Sequence, residues 1–321
     1  HKDISASFQK CVEDVVLEML DYLHKKTGEV NLGLAGGVAM NSLMNGRIAR
    51  ESPFENIFIQ PSSDDGGISA GACFYYWNQI LGKERSFVWE HDYHGPSFSD
   101  DQIKETLDLN LIKYEFHEDI ERKTAELISQ GHVVGWFQGR MEFGQRALGN
   151  RSILADPRDS GMKDKVNRLI KHREEYRPFA PSVLREKVGE YFDCDEDSPF
   201  MQKVYHVLKE KRDEIPAITH ADGTGRIQTV EKSVNERYWK LINEFEKIGY
   251  RVTYKVLNAA DYGVPQARER TIFICIREDV CESLDLSYLA INSIFPTPTF
   301  DKHISMKEAI EDIEDDEDRQ M

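Results

Sequence analysis

Four apolar residues near the start of the chain recur every three or four positions. This repeat places side chains on one face of an α-helix, and it predicts a long amphipathic helix over the segment DISASFQKCVEDVVLEMLDYLHKKTGEV. We expect Ser5 or Ser7 to cap its start and Gly28 to lie near its end, because hydroxyl side chains cap helix N-termini and glycine commonly ends helices. The repeating residues are Phe8, Val12, Val15 and Met19.

The next segments alternate between strand-like and helix-like patterns. NLGL and NIFI are short apolar runs that predict strands, and each is followed by a segment of helical spacing, VAMNSLMNGRIARES and DDGGISAGACFYYWNQIL. The second of these helices is rich in Gly, Ala and Ser, so we expect it to pack closely on another element. Alternation of strand and helix is typical of an α/β unit.

The periodicity lapses between Lys83 and Pro96, which predicts a linker. Beyond it, Ser99 precedes a capped helix, and a further helix leads into the apolar strand HVVGWFQG. The segment EFGQRALGNRSILADPR predicts a glycine-punctuated loop and a strand, followed by polar helices up to about Lys209. GRIQTV predicts a strand, EKSVNERYWKLINEFEKIG a helix, and the segment after Gly249 a strand, a loop and a strand.

The composition fits a globular protein of two or three domains, since 40% of the 321 residues are hydrophobic and 31% are charged. No apolar run approaches the about 20 residues that a membrane span needs, and the first residues lack a basic region followed by an apolar core. We therefore expect a cytoplasmic location and no membrane partner. The five cysteines are scattered without a CxxC pair, which argues against a disulfide framework or a structural zinc site.

The net charge of −16 argues against nucleic acid as a general partner, because a phosphate backbone repels an acidic protein. One segment has the opposite balance: residues 139–187 hold twelve Lys or Arg against seven Asp or Glu. Arginine makes bidentate contacts with phosphates, so this segment predicts a pocket for a polyphosphate or an acyl phosphate. We expect Arg146 and Arg151 to line it, because they lie in a glycine-framed loop, whereas Arg168 and Arg185 fit a solvated helix face.

Two further segments give weaker signals. Gly36 and Gly37 lie where a strand gives way to a helix, a place where free backbone amides hold phosphates, although glycines also occur there for packing alone. Asp64 and Asp65 follow a strand and precede a helix, so they are candidate metal ligands, or one of them caps the helix.

Several long motifs resemble one family in the right order. EFGQRALGNRSILADPR, KHREEYRPFAPSV and ITHADGTGRIQTV resemble the YrdC-like carboxy-terminal domain of the nodulation-protein and antibiotic O-carbamoyltransferases. DISASFQ, LAGGVAMNSLMNGRI and QPSSDDGGISAGA resemble the second half of the first domain of that family, which has the ASKHA fold. The resemblance implies an α/β protein with a partial ASKHA-type domain at residues 1–90 and a YrdC-like domain with a twisted sheet at residues 91–235.

This resemblance implies a chemistry in two steps. ATP, with Mg²⁺, and carbamoyl phosphate give a carbamoyl-adenylate, and the carbamoyl group then passes to the hydroxyl of a small molecule beside a bound iron or other divalent metal. By motif position, Asp65 is the implied metal ligand, and Gly36, Gly37 and Asn41 hold the nucleotide-like intermediate. The implied phosphate and adenylate pocket consists of Arg140, Arg146, Gly149, Asn150, Arg151, Ser152, Lys171 and Arg173, with Arg146, Arg151, Lys171 and Arg173 as its catalytic cations.

Two parts of the family pattern are missing from the sequence. The histidine motif that supplies the other metal ligands is absent, so metal binding by Asp65 alone is expected to be weak. The Asn-Thr-Ser-Phe-Asn segment that follows the GRIQTV strand is absent as well. We therefore expect an incomplete carbamoyltransferase, for which another chain is a candidate source of the missing half-domain.

Residues 236–321 are similar to the later part of the catalytic domain of cytosine-5 DNA methyltransferases, and we expect them to form a small α/β appendage. They include that family's Gln-x-Arg-x-Arg motif as Gln266, Arg268 and Arg270, which the resemblance implies would grip a flipped cytosine. No cysteine in the chain follows a proline, so the Pro-Cys nucleophile of methyl transfer is missing. Three hypotheses remain: a partial carbamoyltransferase, a methyltransferase-related module that lacks its nucleophile, and a non-catalytic fusion that binds nucleotide or phosphate.

Overall fold

The computed structural model describes residues 1–248, 250–264, 266–277 and 294–298, together with residues 303 and 305. These residues form a mixed α/β structure with small sheets, which confirms the α/β part of the predicted fold class. The chain divides into two compact units, residues 1–245 and 246–321. Among the described residues, no helix is both long and apolar enough to cross a membrane, and the cytoplasmic location stays a prediction.

The first unit begins with helix α1 (Lys2–Thr27), which confirms the predicted amphipathic helix. It ends at Gly28 in a left-handed conformation with φ of 71°, as expected for a glycine cap. The predicted N-cap is wrong, because the N-cap residue is His1. Ser7 lies inside the helix, where its hydroxyl donates to the Asp3 carbonyl oxygen one turn earlier at 2.8 Å.

The predicted strand and helix alternation follows α1. Strands β1 (Asn31–Leu34) and β2 (Asn56–Ile59) pair in parallel, with Leu32 opposite Ile57. A small core lies between α1, α2 and the strands, where Leu20, Met44 and Phe54 are buried together. The elements are β1 (Asn31–Leu34), α2 (Ser42–Glu51), β2 (Asn56–Ile59) and α3 (Ile68–Tyr75).

Helix α3 and the π-helical turn Tyr76–Ile80 that extends it do not show the predicted close packing. None of their residues is buried among the described part of the chain. Several of the exposed side chains are large and apolar, including Tyr75 and Trp77. The small residues of this helix therefore have no packing partner here, and that prediction is wrong for the described structure.

The linker predicted between Lys83 and Pro96 contains no regular element, but it lies inside the first compact unit, so a domain boundary there stays a prediction. It is nevertheless firmly packed, because the Trp89 ring meets the rings of His94 and Phe143 edge-on at centroid distances of 5.2 and 5.8 Å. Asp92 is buried beneath this aromatic cluster.

The remainder of the first unit consists of short elements. Helix α4 (Asp100–Leu109) is capped by Ser99, as predicted, and Ser99 forms a capping box with Gln102. The expectation of only polar helices up to Lys209 is wrong, because two short strands, β5 (Ser182–Leu184) and β6 (Val204–His206), lie there. Both pair with strands later in the chain, which local periodicity does not reveal. The elements are α4 (Asp100–Leu109), α5 (Ile120–Ser129), β3 (Val134–Phe137), β4 (Arg151–Leu154), α6 (Met162–Val166), β5 (Ser182–Leu184), α7 (Val188–Tyr191), β6 (Val204–His206), β7 (Thr224–Arg226), β8 (Gln228–Val230) and α8 (Glu236–Lys247).

These strands pair two by two and enclose the main core. β3 pairs antiparallel with β4, β5 parallel with β8, and β6 antiparallel with β7. Val183, Phe192, Tyr205 and Ile227 are buried together between the last two pairs.

Helix α8 packs on strands β3 and β8 through Tyr238 and Leu241, which are buried together with Trp136 and Val230. The Tyr238 ring also lies directly against Gly149, two residues before β4 begins. A Cβ atom built on Gly149 would lie 2.3 Å from a carbon of that ring. The sequence therefore needs a glycine here for space, and also for its φ of 108°.

The described residues 250–264 and 266–277 of the second unit form a hairpin-like arrangement, in agreement with the predicted strand, loop and strand. β9 (Tyr250–Asn258) pairs antiparallel with β10 (Glu269–Arg277), and the 3₁₀ turn Ala259–Tyr262 follows β9. The Asn258 side chain accepts hydrogen bonds from the backbone N–H groups of Ala260 and Arg268 at 3.2 and 3.1 Å, which fixes the turn.

We predict that Gly149→Ala destabilises the protein by about 3 kcal/mol or more, because backbone strain and overpacking each cost about 1 to 3 kcal/mol. Gly131→Ala is the matched control, since Gly131 also has a positive φ of 83° but has no atom within 4 Å of the added Cβ. Urea denaturation of both variants measures the difference. Equal losses of unfolding free energy would show that the Tyr238 contact does not constrain this position.

Candidate functional site

The loop of residues 139–151, here called the arginine loop, is organised by one buried carboxylate. The Glu142 side chain is 0% exposed and lies at the centre of the loop. Its Oε1 accepts hydrogen bonds from the backbone N–H groups of Leu148 and Asn150 at 2.6 and 2.9 Å. Its Oε2 accepts from Nε of Arg151 at 3.1 Å. The loop therefore closes around a compensated negative charge.

The Asn150 side chain ties the arginine loop to its surroundings. Its Nδ2 donates to the Arg140 carbonyl oxygen at 2.6 Å, and its Oδ1 accepts from Gln138 and Asn235 at 2.9 and 2.8 Å. Gln138 follows β3, and Asn235 directly precedes α8. A buried amide whose hydrogen bonds are all made within the protein holds a loop rigidly.

Arg146 is an arginine of the loop whose guanidinium has no carboxylate partner within hydrogen-bond distance among the described residues. It is partly buried, and its Nη2 makes one long contact of 3.4 Å with the Met40 carbonyl oxygen. Its Nη1 is buried with no hydrogen-bond partner. Burial and the neighbouring Arg226 lower the pKa of Arg146 to about 10, although the carboxylates of Asp92 and Asp64 oppose this shift. An unpaired guanidinium in such a place favours an anionic ligand.

Two further arginines extend this positive charge. Burial, and then the charge of Arg173, lower the pKa of Arg226 on β7. Arg173 donates from Nε to Asn167 Oδ1 at 2.7 Å and stacks on the Phe179 ring at 4.7 Å, so a neutral amide and an aromatic face hold it. Arg146, Arg226 and Arg173 form a chain of interacting cations, here called the arginine row.

Sequence reasoning missed two members of this site, Arg226 and His220. Both lie in the quoted motif ITHADGTGRIQTV, outside the basic segment in which charges were counted. His220 Nδ1 lies 3.1 Å from Thr224 Oγ1, its Nε2 is buried without a partner, and burial lowers its pKa, so the ring is neutral near pH 7. The sequence did offer one signal for them: Arg226 follows a glycine and comes shortly after a His-x-Asp pattern.

The other predicted pocket residues divide into framework and exposed groups. Arg151 uses its Nε–H on Glu142 and one Nη2–H on the Gly144 carbonyl oxygen, so part of its guanidinium is already committed to the framework. Ser152 Oγ accepts from the Gly149 N–H at 3.0 Å and is buried. Arg140 donates to two linker carbonyl oxygens, those of His94 and Gly95. Lys171 is exposed.

The candidate nucleotide-binding segment of the first part lies in an exposed turn. Gly36 has a φ of 97°, and its N–H donates to the Ser63 carbonyl oxygen at 2.6 Å. Gly37 begins the short 3₁₀ turn that follows. The Asn41 side chain caps α2 by accepting from the Met44 N–H at 3.1 Å. The turn is therefore held in place while the backbone of both glycines stays accessible.

The two adjacent aspartates have different roles. Asp64 accepts from the Gly66 N–H at 3.2 Å, which agrees with the capping alternative, whereas the Asp65 side chain is exposed. The described residues contain no group of three or more His, Cys, Asp or Glu side chains that could hold a metal. Their donor set does not fit the iron site that the resemblance implies, because one exposed carboxylate offers too few ligands.

These segments meet at the arginine loop. Arg146 contacts Met40 at the end of the glycine turn, and Asp64 is among the charges that act on it. A Cβ atom on Gly144 would lie 2.9 Å from Asp92 Oδ2 and 3.7 Å from Ser62 Cβ, so only glycine allows this approach. The fold thus brings the glycine turn and the aspartate segment next to the arginine row, although they are about 80 to 110 positions apart in the sequence.

In the second unit, the Gln-x-Arg-x-Arg motif follows the 3₁₀ turn. Gln266 and Arg268 are exposed, and the backbone of Arg270 lies in β10 opposite Leu257. Their role stays a prediction.

Comparison with known proteins shows that different families match the two ends of the chain. The family models described as Carbamoyltransferase N-terminus and Carbamoyltransferase C-terminus match residues 1–74 and 125–262. The model described as C-5 cytosine-specific DNA methylase matches residues 227–321, so the two families overlap over residues 227–262.

Three relatives illustrate the first match. The chain is 43% identical over 274 residues to an uncharacterized protein of Synechocystis sp., covering 77% of this chain and 45% of that protein. It is 43% identical over 254 residues to the nodulation protein NolO of Bradyrhizobium diazoefficiens, covering 77% and 46%. It is 31% identical over 214 residues to the 3'-hydroxymethylcephem-O-carbamoyltransferase of Streptomyces clavuligerus, covering 67% and 39%. The chain thus spans less than half the length of these relatives.

We predict that Glu142 and Arg151 stabilise the arginine loop as a coupled pair. Glu142→Gln and Arg151→Gln should each lower the free energy of unfolding by roughly 2 to 4 kcal/mol, because each leaves a partner uncompensated. The double variant should lose about 1 to 3 kcal/mol less than the sum. Urea denaturation of the four proteins measures this coupling.

The control is Lys10→Gln, which removes an exposed ion pair with Asp14 and should cost less than about 1 kcal/mol. Additive losses in the double variant would contradict the central role of the Glu142 carboxylate.

Proposed function

The chain belongs to the carbamoyltransferase family over residues 1–74 and 125–262, and from this premise we propose that it carries the carbamoyl-activating part of an O-carbamoyltransferase. In the proposed reaction, carbamoyl phosphate, ATP and one water molecule give carbamoyl-adenylate, pyrophosphate and phosphate. The carbamoyl group is then transferred to the hydroxyl of a small molecule. The name of the Streptomyces clavuligerus relative supports transfer to oxygen.

The observation that carries this proposal is the uncompensated charge of the arginine row. Arg146 has a buried Nη1 without a partner, and no side-chain hydrogen bond or ion pair of Arg226 occurs among the described residues. Arg226 acts on Arg146, and Arg173 acts on Arg226, as like charges, so an anion bound beside either pair removes an unfavourable interaction as well as adding favourable ones. Both proposed substrates are phosphate anions.

The row also suits the chemistry of activation. When a carbamate oxygen attacks the α-phosphorus of ATP, negative charge grows on the phosphate oxygens and on the leaving pyrophosphate. Guanidinium groups stabilise that charge, and Arg173 is already held in place by the Asn167 side chain and the Phe179 ring. His220 offers a neutral ring nitrogen near Arg226. Because the Thr224 hydroxyl donates to Asp222, His220 Nδ1 donates to Thr224 and Nε2 is left to accept a hydrogen bond.

The contact between Arg146 and Met40 supports delivery of the activated group toward the first part of the chain. The Gly36 N–H is used by Ser63, whereas the Gly37 N–H makes no hydrogen bond among the described residues and suits the phosphate of an adenylate. The acceptor hydroxyl would then lie on the side of Asp64 and Asp65. We derive no step through a metal there, because the described residues do not supply its ligands.

The finer fold assignments belong to this proposal. The parallel pair of β1 and β2 around α2 supports a partial ASKHA-type domain, and the short paired strands β3 to β8 support a YrdC-like domain. Mg²⁺ is the proposed counter-ion of ATP, since it binds substrate phosphates in preference to all-protein cages. Incompleteness of the enzyme is part of the proposal as well.

A non-catalytic fusion is the second candidate, because one chain passes from one family to another within residues 227–262. In that case the arginine row binds phosphate or nucleotide without turnover. Cytosine methylation is not proposed, because no cysteine of the chain follows a proline.

We predict that Arg146→Ala and Arg226→Ala each weaken the binding of ATP or of carbamoyl phosphate by about 1 to 3 kcal/mol, the value of a charge-assisted hydrogen bond. Isothermal titration calorimetry measures both affinities. Arg185→Ala is the control, because this arginine pairs with Asp195 and Asp197 and lies in the same basic segment. Unchanged affinity in both pocket variants, or an equal loss in the control, would exclude the arginine row as the anion site.

The activating reaction has a direct readout in pyrophosphate release. We predict release only when ATP, Mg²⁺ and carbamoyl phosphate are all present, and its loss in Arg146→Ala. Binding of both substrates without pyrophosphate would support the non-catalytic fusion. Absence of binding would contradict both candidates.

A further inference from the structure

The loop that leads into β7 contains a short relay of hydrogen bonds that ends at His220. The backbone N–H and the hydroxyl of Thr224 both donate to Asp222 Oδ1, at 3.0 and 2.6 Å. His220 Nδ1 lies 3.1 Å from the same hydroxyl oxygen, and the backbone N–H of His220 donates to the Thr224 carbonyl oxygen at 2.8 Å. The backbone and the side chain of His220 are therefore both tied to Thr224.

The charge of Asp222 fixes the direction of this relay. Burial raises the pKa of Asp222, but the hydrogen bonds from Thr224 outweigh burial and leave the pKa below its usual value, so the carboxylate is ionised at pH 7. An ionised carboxylate only accepts hydrogen bonds, and the single hydroxyl proton of Thr224 is donated to it. His220 Nδ1 must then donate to Thr224. Because burial lowers the pKa of His220, the ring is neutral and its Nε2 is an acceptor.

The Nε2 atom of His220 is an acceptor that lacks a donor. It is buried, and it has no hydrogen-bond partner among the described residues. Such an atom costs free energy unless a donor reaches it. His220 as a whole is only partly buried, so part of the residue remains open to a bound molecule.

Arg226 lies on the same side of β7 as this acceptor. Thr224 and Arg226 are two residues apart on the strand, which places their side chains on one face. The charge of Arg226 also acts on His220, which agrees with this placement. The site thus presents a cation beside a lone acceptor, and the complementary ligand carries an anion beside a hydrogen-bond donor.

We propose that His220 Nε2 accepts a hydrogen bond from the amino group of carbamoyl phosphate, which makes His220 a specificity-determining residue for the carbamoyl group. This inference rests on the phosphate binding proposed for the arginine row. The phosphate and carbonyl oxygens of carbamoyl phosphate accept hydrogen bonds and suit the guanidinium groups, whereas its amino group donates. ATP has no donor on its triphosphate at neutral pH, and its ribose hydroxyls lie more bonds away from phosphorus than the carbamoyl amino group does. In this scheme Asp222 and Thr224 are positioning residues, because they keep the proton on Nδ1.

Acetyl phosphate tests the assignment, because it keeps the phosphate and the carbonyl group but has a methyl group in place of the amino group. Isothermal titration calorimetry of the full chain measures the affinity for each compound. We expect carbamoyl phosphate to bind roughly 5- to 100-fold more tightly, since a buried acceptor left without a donor is penalised. In His220→Phe the two affinities should lie within about threefold of each other, because the acceptor is gone. His206→Phe is the control and should keep the preference, because His206 is exposed on β6, opposite Thr224.

Substitutions of Thr224 test the relay separately from the His220 ring. Thr224→Val keeps the shape of the side chain but removes the hydroxyl, so Nδ1 loses its acceptor and the ring is free to carry its proton on Nε2. We expect this variant to lose most of the preference for carbamoyl phosphate, whereas Thr224→Ser keeps the hydroxyl and should retain it. Circular dichroism checks that each variant is folded.

Nitrogen NMR of protein labelled at histidine reports the tautomer directly, and the His220 signals are those that disappear in His220→Phe. We expect a protonated Nδ1, and an Nε2 signal that shifts with carbamoyl phosphate but not with acetyl phosphate. A proton on Nε2, or an unchanged preference in His220→Phe, would overturn the assignment. Equal binding of both compounds by the unaltered chain would overturn it and leave the arginine row intact, whereas absence of binding of either compound would overturn the proposed function as well.

Discussion

The buried Glu142 carboxylate is the interaction on which the rest of the candidate site depends. It accepts two backbone N–H groups and one guanidinium of the loop that surrounds it, so the loop is built around a single charge. Burying a carboxylate is costly unless such partners are present, and their presence fixes the loop conformation. Arg146 inherits its position from that conformation. The site therefore depends on a residue whose own side chain is fully buried.

The same loop shows how the protein divides its arginines between structure and ligand binding. Arg151 is neutralised by Glu142, whereas Arg146 and Arg226 face other cations and have lowered pKa values. An uncompensated cation opposes folding, and burial lowers its pKa because the charged form is disfavoured there. A bound anion would relieve this cost, which is why we propose phosphate binding at the arginine row.

Local sequence patterns predicted the elements well, and contacts between distant residues less well. α1, β1, α2 and β2 follow from hydrophobic spacing, and the arginine loop follows from its glycines and its motif. β5 and β6 could not be predicted in this way, because three-residue strands have no clear period and depend on β8 and β7. Arg226 was missed for a related reason, since its role arises from Arg146, which lies 80 positions earlier.

Helix α8 lies at the junction of the two families and contacts the residues that support the arginine loop. It lies in the segment that both families match, yet its Tyr238 hydroxyl donates to Ser182 Oγ at 2.8 Å and its ring covers Gly149. Asn235, directly before it, holds the Asn150 side chain of the arginine loop. The residues at the junction are therefore part of the candidate site's support, whichever family their sequence resembles. A fusion made within this helix must keep these contacts, because without them the arginine loop loses both its packing at Gly149 and the amide that holds Asn150.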